Sequence, residues 1–284
     1  QRARLIAELR AKIKELEAAQ VGLARKERLE RELELARDVQ QSVLPHTFPQ
    51  LHGYHFAARY QSARMVGGDF YDVIVLDGGE PVHGEPMGGA SNCNRLGIVI
   101  ADVSDKGIPA ALYMALTRSL LLAEARRSPS PREVLINVNR LLLELGQPNM
   151  FVTIFYGVLD RATRRLTYAR GGHDRPLVIR AGISTELGGR GTMLGLLGPE
   201  LFQLSEEAIT LQAGDRLILY TDGLMDVMAP DGKLFTREQL IALLQTHAAL
   251  PPDDLCAAVF RDLAIYQGDA DQYDDTTLLV VAVE

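Results

Sequence analysis

The stretch VGGDFYD (residues 66–72) introduces the pattern around which the rest of the chain is organised: an aspartate beside glycines, at the edge of a run typical of a buried β-strand. Three later clusters repeat this placement, namely ADVSDKG (101–107), YTDGL (220–224) and YDDTT (273–277). Burying a carboxylate costs free energy unless the group is paired or coordinated. Hard divalent cations prefer carboxylate and water oxygens. The four clusters therefore predict a shared divalent-cation site at the strand ends.

The composition of the 284-residue chain is that of a globular protein, because 47% of the residues are hydrophobic and 24% are charged. The net charge of -7 argues against nucleic-acid binding, which needs a basic face. Cys93 and Cys256 have no CxxC spacing, so neither a disulfide framework nor a thiolate zinc site is indicated. Two unpaired thiols are typical of a cytoplasmic protein. No apolar run has the length of a membrane span.

Apolar residues at three- and four-residue spacing predict one long helix over residues 1–44, followed by a globular domain over residues 45–284. Pro45 and Pro49 are expected to end the helix. The apolar stripe shifts its phase near Gly22. Two interpretations stay open for this segment, a parallel coiled-coil dimer and a loosely packed linker helix. Because the sequence starts inside the helical pattern, an upstream sensor region is expected to be missing from this fragment.

The globular region alternates short apolar runs with two blocks of helical pattern, which predicts an α+β fold of two sheets sandwiched between helices. A long polar loop is expected over residues 77–95. The predicted strands are 54–60, 70–76, 96–103, 151–159, 165–170, 177–180, 183–187, 215–221 and 276–283. The predicted helices are 107–125, 131–145, 236–247 and 252–267.

The candidate metal ligands are Asp69, Asp102, Asp222 and either Asp274 or Asp275. An aspartate in a turn often only bonds its own backbone, and for any one of these residues that explanation would suffice. Four such motifs at strand ends favour a common site. An all-oxygen set suits Mg²⁺ or Mn²⁺ and does not suit zinc.

The segments GGDFYD (67–72), IADVSDKGIPAAL (100–112), YTDGLMD (220–226) and DDTTLLV (274–280) occur in family order and resemble the metal-dependent serine/threonine phosphatases of the PPM superfamily. The similarity is greatest to the bacterial SpoIIE/RsbU-like branch and extends from about residue 45 to the C-terminus. It implies an αββα sandwich with a binuclear Mn²⁺/Mg²⁺ site between the sheets. Residues 38–45 also resemble the helix that leads into this domain in that branch.

The resemblance implies a role for each matching residue. Asp102 matches the carboxylate that bridges both metals, and the backbone carbonyl of Val103 joins it. Asp222 and Asp274 match ligands of the second metal, and Asp275 is kept as the second choice. Asp69 matches the acidic residue that holds metal-bound water at the first metal.

The chain also departs from the family pattern. Several relatives carry a histidine general acid just after the bridging aspartate, where this chain has Ser104 and Asp105. Asp105 replaces a usual glycine, and three roles are open for it: a proton donor, an acceptor behind the metal ligands, or a source of local repulsion. Arg64 is a candidate for phosphate binding, and an exposed arginine at a strand end is the alternative.

The resemblance implies a cytoplasmic protein-serine/threonine phosphatase, the output domain of a bacterial signalling protein that dimerises through its N-terminal helix. Its expected substrate is a phosphorylated STAS-domain protein, an anti-sigma factor antagonist. The alternative is a catalytically weak regulatory module that binds a phosphoprotein partner. A nucleotidyl-cyclase fragment, suggested by GGDF alone, is disfavoured because the next acidic residue of that motif is absent.

Overall fold

The computed structural model describes residues 2–77, 93–147 and 149–284, so most of the loop predicted over residues 77–95 lies outside the described residues. The chain forms two compact units, Gln1–Ser42 and Val43–Glu284. The pairing of strands, the apolar core and the predicted site residues all belong to the second unit.

The N-terminal helix α1 extends over Arg2–Val43 and passes through Gly22 without a break. The long helix predicted from the apolar spacing is therefore confirmed. Ion pairs at three- and four-residue spacing, such as Arg28–Glu32 with 2.9 Å between Nε and Oε1, stabilise its surface. Leu16 is 63% exposed and Leu23 is 58% exposed. Pairing of this stripe with a second copy stays a prediction.

The second unit contains ten strands and four α-helices among the described residues. The strands are β1 (Tyr54–Gln61), β2 (Phe70–Val75), β3 (Arg95–Val103), β4 (Val152–Asp160), β5 (Arg165–Gly171), β6 (Leu177–Arg180), β7 (Ile183–Glu186), β8 (Glu206–Thr210), β9 (Arg216–Tyr220) and β10 (Thr276–Val283). The helices are α2 (Ile108–Ala125), α3 (Pro131–Leu145), α4 (Arg237–His247) and α5 (Pro252–Gln267).

The strands form two five-stranded antiparallel sheets. One sheet has the order β1-β10-β9-β6-β7, and the other has the order β2-β3-β4-β5-β8. Helices α4 and α5 cover the first sheet, and α2 and α3 cover the second. This arrangement is the predicted αββα sandwich.

Strand β3 shows why the central strands have continuous apolar sequences. Its successive side chains point to opposite faces of the sheet. Leu96, Ile98 and Ile100 belong to the core between the two sheets. Val99, Ala101 and Val103 pack on the other face, in the cluster that contains α2 and α3. Both faces of the strand are buried, so no alternation with polar residues is needed.

Strand β8 was missed by the sequence reasoning. Its segment EEAIT is mostly exposed and pairs only with β5, at the edge of the second sheet. An edge strand of this kind lacks the apolar alternation that marks a strand in a sequence. Helix α2 has the length and apolar composition of a membrane span, but one side of it packs within the core of the second unit.

Candidate metal centre

The four predicted aspartates gather because each sheet brings two strand ends together. Phe70 of β2 pairs with Ala101 of β3, which places Asp69 beside Asp102. In the other sheet, the end of β9 lies against the start of β10, because Tyr220 pairs with Leu278. Asp222 follows β9 and Asp274 precedes β10, so the second pair meets at the same end of the sandwich.

Asp69 connects the two sheets. It is 1% exposed, and its Oδ2 accepts hydrogen bonds from Thr221 Oγ1 at 2.7 Å and Thr277 Oγ1 at 2.5 Å. Burial, together with the charges of Asp102 and Asp275, raises its pKa well above the usual aspartate value, and the two threonine hydrogen bonds oppose this rise. The threonine hydroxyls therefore fix the orientation of a carboxylate that is costly to ionise.

Asp102 is at the centre of the cluster. Burial raises its pKa to about 8, with further contributions from the negative charges of Asp222 and Asp274. A hydrogen bond with Asp69 lowers the pKa of Asp102 and so partly offsets this rise. The carbonyl oxygen of Val103 lies on the inner side of the adjacent loop, since a Cβ added to Gly68 would come within 2.8 Å of it. A side chain at position 68 would thus crowd a second oxygen donor.

Asp222 lies at the solvent side of the cluster, in a one-turn 3-10 helix that spans Asp222–Leu224. Its side chain is exposed to solvent, yet the surrounding protein removes part of its hydration. This desolvation, and then the charges of Asp226 and Asp274, raise its pKa to about 6. Asp226 belongs to the same turn, because its N–H donates to the Asp222 carbonyl at 3.0 Å.

The neighbouring residues Asp274 and Asp275 have different contacts. Asp274 Oδ2 is 2.9 Å from Lys106 Nζ, which also donates to the Tyr273 carbonyl at 2.6 Å. Asp275 is buried, and its carboxylate accepts backbone hydrogen bonds from Ala63 at 2.8 Å and Gly68 at 2.6 Å. Asp275 therefore fixes the loop before β2. Asp274 instead pairs with a flexible lysine side chain through Oδ2 and accepts the Asp275 N–H at 2.9 Å through Oδ1.

The departures from the family pattern also have defined places. Ser104 Oγ accepts a hydrogen bond from the Phe151 N–H at 2.9 Å. Asp105 is exposed, has a φ of 75°, and accepts a hydrogen bond from the Lys106 N–H at 2.8 Å. A φ in this range is one that glycine adopts more readily than aspartate. Arg64 is exposed and lies close to Gly107, where α2 begins.

The donors fit a divalent cation by their chemistry. Four carboxylates and one backbone carbonyl are the oxygen ligands that Mg²⁺ and Mn²⁺ prefer. The mutual repulsion that raises the pKa of Asp102 is what a bound cation would relieve. In residues 2–77, 93–147 and 149–284, no three acidic, histidine or cysteine side chains already stand in ligand geometry. Metal binding would therefore require Asp274 to break its ion pair with Lys106 and the aspartate side chains to turn toward a common centre.

Sequence reasoning did not assign roles to four residues of this site: Thr221, Thr277, Lys106 and Asp226. A usable signal existed for Asp226, since residues four apart in a helical turn are neighbours on one face. The threonine contacts cross between strands that are distant in sequence, so no local pattern predicts them.

Comparison with known proteins gives the family. Residues 92–284 match the family model described as Stage II sporulation protein E (SpoIIE). Protein IcfG from Synechocystis sp. is 29% identical over 278 residues, covering 88% of this chain and 41% of IcfG. Phosphoserine phosphatase RsbU from Bacillus subtilis is 27% identical over 252 residues, covering 88% of this chain and 69% of RsbU. The chain thus spans less than half the length of IcfG.

A solved structure gives the same fold. The SiaA-PP2C domain of Pseudomonas aeruginosa superposes with a TM-score of 0.77 at 22% identity, covering 92% of this chain and 98% of that domain.

Proposed function

Because the chain belongs to the SpoIIE family, we propose that its residues 45–284 form a metal-dependent phosphatase that hydrolyses phosphoserine or phosphothreonine in a protein substrate. The observation that carries this proposal is the group of Asp69, Asp102, Asp222 and Asp274 at one end of the sandwich, where the carboxylates repel one another. The name of RsbU, a phosphoserine phosphatase, supports the same chemistry.

In the proposed site, Asp102 and the Val103 carbonyl would contribute to holding a pair of Mn²⁺ or Mg²⁺ ions, Asp222 and Asp274 would hold the second ion, and Asp69 would hold metal-bound water at the first. Asp275 is left out of the ligand set because its carboxylate already accepts two backbone hydrogen bonds. The ions, when bound, would supply an activated water and neutralise charge on the phosphoryl group.

The remaining residues orient this site. Thr221 and Thr277 both donate to Asp69 Oδ2 and so hold this carboxylate beside Asp102. Arg64, which lies in the loop between β1 and β2 and close to Gly107, would bind a phosphate oxygen. We assign the proton of the leaving alkoxide to solvent, because Ser104 and Asp105 stand where a histidine general acid is expected.

The substrate we propose is a phosphorylated STAS-domain protein, an anti-sigma factor antagonist, and the protein acts in the cytoplasm. The similarity to RsbU supports a regulatory phosphatase.

Pairing of α1 with a second copy would cover its exposed leucines and connect an upstream sensor region to the domain. Deleting residues 1–30 should then change turnover or Mn²⁺ affinity, and unchanged kinetics would reject this coupling.

Hydrolysis of p-nitrophenyl phosphate with Mn²⁺ tests the proposed chemistry. The wild-type protein should hydrolyse this ester only when the metal is present, and Asp102→Asn should lose the activity. Wild-type protein that binds a phosphoprotein without hydrolysing either substrate would favour the alternative, a catalytically weak regulatory module. The missing histidine general acid motivates that alternative.

A further inference from the structure

A second polar site lies beside the aspartate cluster. It is a cleft of about 460 Å³ whose charged side chains are Arg170, Arg175, Arg237, Asp174 and Glu186. We call it the arginine cleft. Its residues come from the end of β5, the following loop, the end of β7 and the start of α4.

The cleft adjoins the proposed catalytic site through one short connection. Neutral His173, whose pKa burial lowers to about 4, accepts a hydrogen bond from Thr153 at Nδ1 and donates from Nε2 to the Tyr220 carbonyl at 3.1 Å. Tyr220 ends the strand that leads directly to Asp222. Asp174 follows His173, and Asp222 lies two residues after Tyr220, so the hydrogen bond from His173 joins the cleft to the strand end that carries Asp222.

The positive charge in the cleft exceeds what its own carboxylates neutralise. Glu186 binds Arg237 at 3.0 Å and Arg175 at 3.2 Å, and Arg237 also reaches Asp174 at 3.5 Å. Three guanidinium groups thus face two carboxylates. The pairs already formed leave a net charge of about +1 in a protein whose net charge is -7.

Arg170 is the source of the excess. Its two Nη groups donate to the carbonyls of His173 and Gly189, and its buried Nε has no hydrogen-bond partner among the described residues. Burial and the charges of Arg175 and Arg237 lower the pKa of Arg170. Arg170 thus adds positive charge to the cleft and forms no ion pair in the part of the chain that the structure describes.

We propose that the arginine cleft binds an acidic side chain of the polypeptide substrate, a few residues from the phosphorylated serine or threonine, and so determines which phosphoprotein is accepted. This inference rests on the proposed function, because it assigns a specificity site to that same reaction. Arginine binds a carboxylate in bidentate geometry, and each residue of an extended chain spans about 3.3 Å.

The test uses the full chain with Mn²⁺ and phosphoserine peptides that carry one aspartate at successive positions on either side of the phosphoserine. Each peptide is matched with the same peptide carrying asparagine. At one or two neighbouring positions, the aspartate peptide should have a kcat/KM at least about fivefold higher, through a lower KM.

Arg175→Gln should bring that ratio to about one, and Arg175→Glu should bring it below one, because Arg175 is exposed and its charge reversal repels the peptide. Arg261→Gln, an exposed arginine on α5, is the matched control and should keep the wild-type ratio. The melting temperature of each variant checks its folding.

Three outcomes overturn the inference. Equal kcat/KM for the paired peptides at every position, or the wild-type ratio in Arg175→Glu, would mean that the cleft is structural. The same preference at all positions would indicate a diffuse charge effect. If the wild-type protein hydrolyses neither the peptides nor p-nitrophenyl phosphate with Mn²⁺, the proposed function fails first.

Discussion

The two ends of strand β9 carry the same side chain in opposite electrostatic settings. Before the strand, Asp215 is fully buried and accepts hydrogen bonds from Arg180 Nε at 2.8 Å, Arg180 Nη2 at 2.6 Å and the Gln212 N–H at 2.8 Å. After the strand, Asp222 lies near Asp226 and Asp274, and no arginine hydrogen-bonds to it among the described residues.

The partners of a carboxylate distinguish structural from functional aspartates in this fold. A carboxylate with an arginine partner and complete hydrogen bonds stabilises the local structure. Carboxylates that gather without a counter-ion oppose folding, so their presence indicates a cation or a reaction. Asp72, which pairs with Arg118, and Asp275, which binds backbone N–H groups, belong to the structural kind.

The largest expected effect comes from Asp222→Asn. Loss of a metal ligand should lower kcat/KM for p-nitrophenyl phosphate with Mn²⁺ by more than about 100-fold, because several kcal/mol of charge stabilisation are lost. The melting temperature in EDTA should stay unchanged or rise, since a repelled carboxylate is removed. Activity within about threefold of wild type would exclude Asp222 from the site.

The matched substitution before the strand, Asp215→Asn, should lower the stability and leave the activity nearly unchanged. It removes the partner of Arg180 in a fully buried position, so the melting temperature should fall by several degrees. The folded fraction should keep nearly all of its Mn²⁺-dependent activity. Thermal unfolding followed by circular dichroism measures the first quantity, and a loss of activity as large as that of Asp222→Asn would break the comparison.

The stability of the folded protein should also depend on pH, through Asp102 in the same aspartate cluster. The pKa of Asp102 is about 8 in the folded metal-free protein against 3.8 for an ordinary aspartate, so the folded state keeps a proton that the unfolded chain has released. The corresponding stability is complete below about pH 4 and is lost as the pH rises through about 8. Bound Mn²⁺ should therefore raise the melting temperature more at about pH 8.5 than at about pH 6.

The result for Asp102→Asn sharpens this pH prediction. In this variant the difference in Mn²⁺ stabilisation between the two pH values should become smaller, because one of the titrating carboxylates is gone while Asp69 and Asp222 remain. A wild-type stabilisation by Mn²⁺ that is equal at both pH values would contradict the account.

Lys106→Met should strengthen Mn²⁺ binding by a few-fold, because the ion pair with Asp274 must break before Asp274 can bind a metal. Partly exposed ion pairs of this kind contribute up to about 1 kcal/mol, which limits the change to about fivefold. Isothermal titration calorimetry gives the dissociation constant. Weaker binding in Lys106→Met would show that the lysine supports the metal site. Lys233→Met, which removes an exposed lysine paired with Asp231, is the control.

The smallest effect is expected from Asp105→Gly. Asp105 has a φ of 75° and an exposed side chain, so glycine relieves backbone strain and adds freedom to the unfolded chain. The free energy of unfolding should change by less than about 1 kcal/mol, and kcat should stay near the wild-type value. A large fall in kcat would instead identify Asp105 as a proton donor.

The sequence predicted most elements because each central strand carries an apolar run and each helix carries its own end signals. Thr236, for example, forms the capping box that starts α4 with Gln239. Strand β8 could not be predicted, since an exposed edge strand owes its conformation to β5 and not to its own residues.

The motifs predicted which aspartates lie together, but not their contacts. Asp274 and Asp275 are adjacent candidate ligands, and the N–H groups of Ala63 and Gly68 that bind Asp275 favour Asp274 as the proposed ligand. The ion pair of Lys106 with Asp274 joins residues 168 positions apart, and no local spacing encodes it. Local spacing does not encode the arginine cleft either, because its charged residues come from β5 and the loop after it, from β7 and from α4.

The proposed function depends on divalent metal ions being bound by Asp69, Asp102, Asp222 and Asp274. The most direct measurement is the anomalous-difference density of Mn²⁺ in crystals of the wild-type protein. The account predicts two strong peaks a few ångströms apart, within coordination distance of Asp102 and of Asp222 or Asp274. Peaks located elsewhere, or none at this end of the sandwich in crystals that contain excess Mn²⁺, would contradict it.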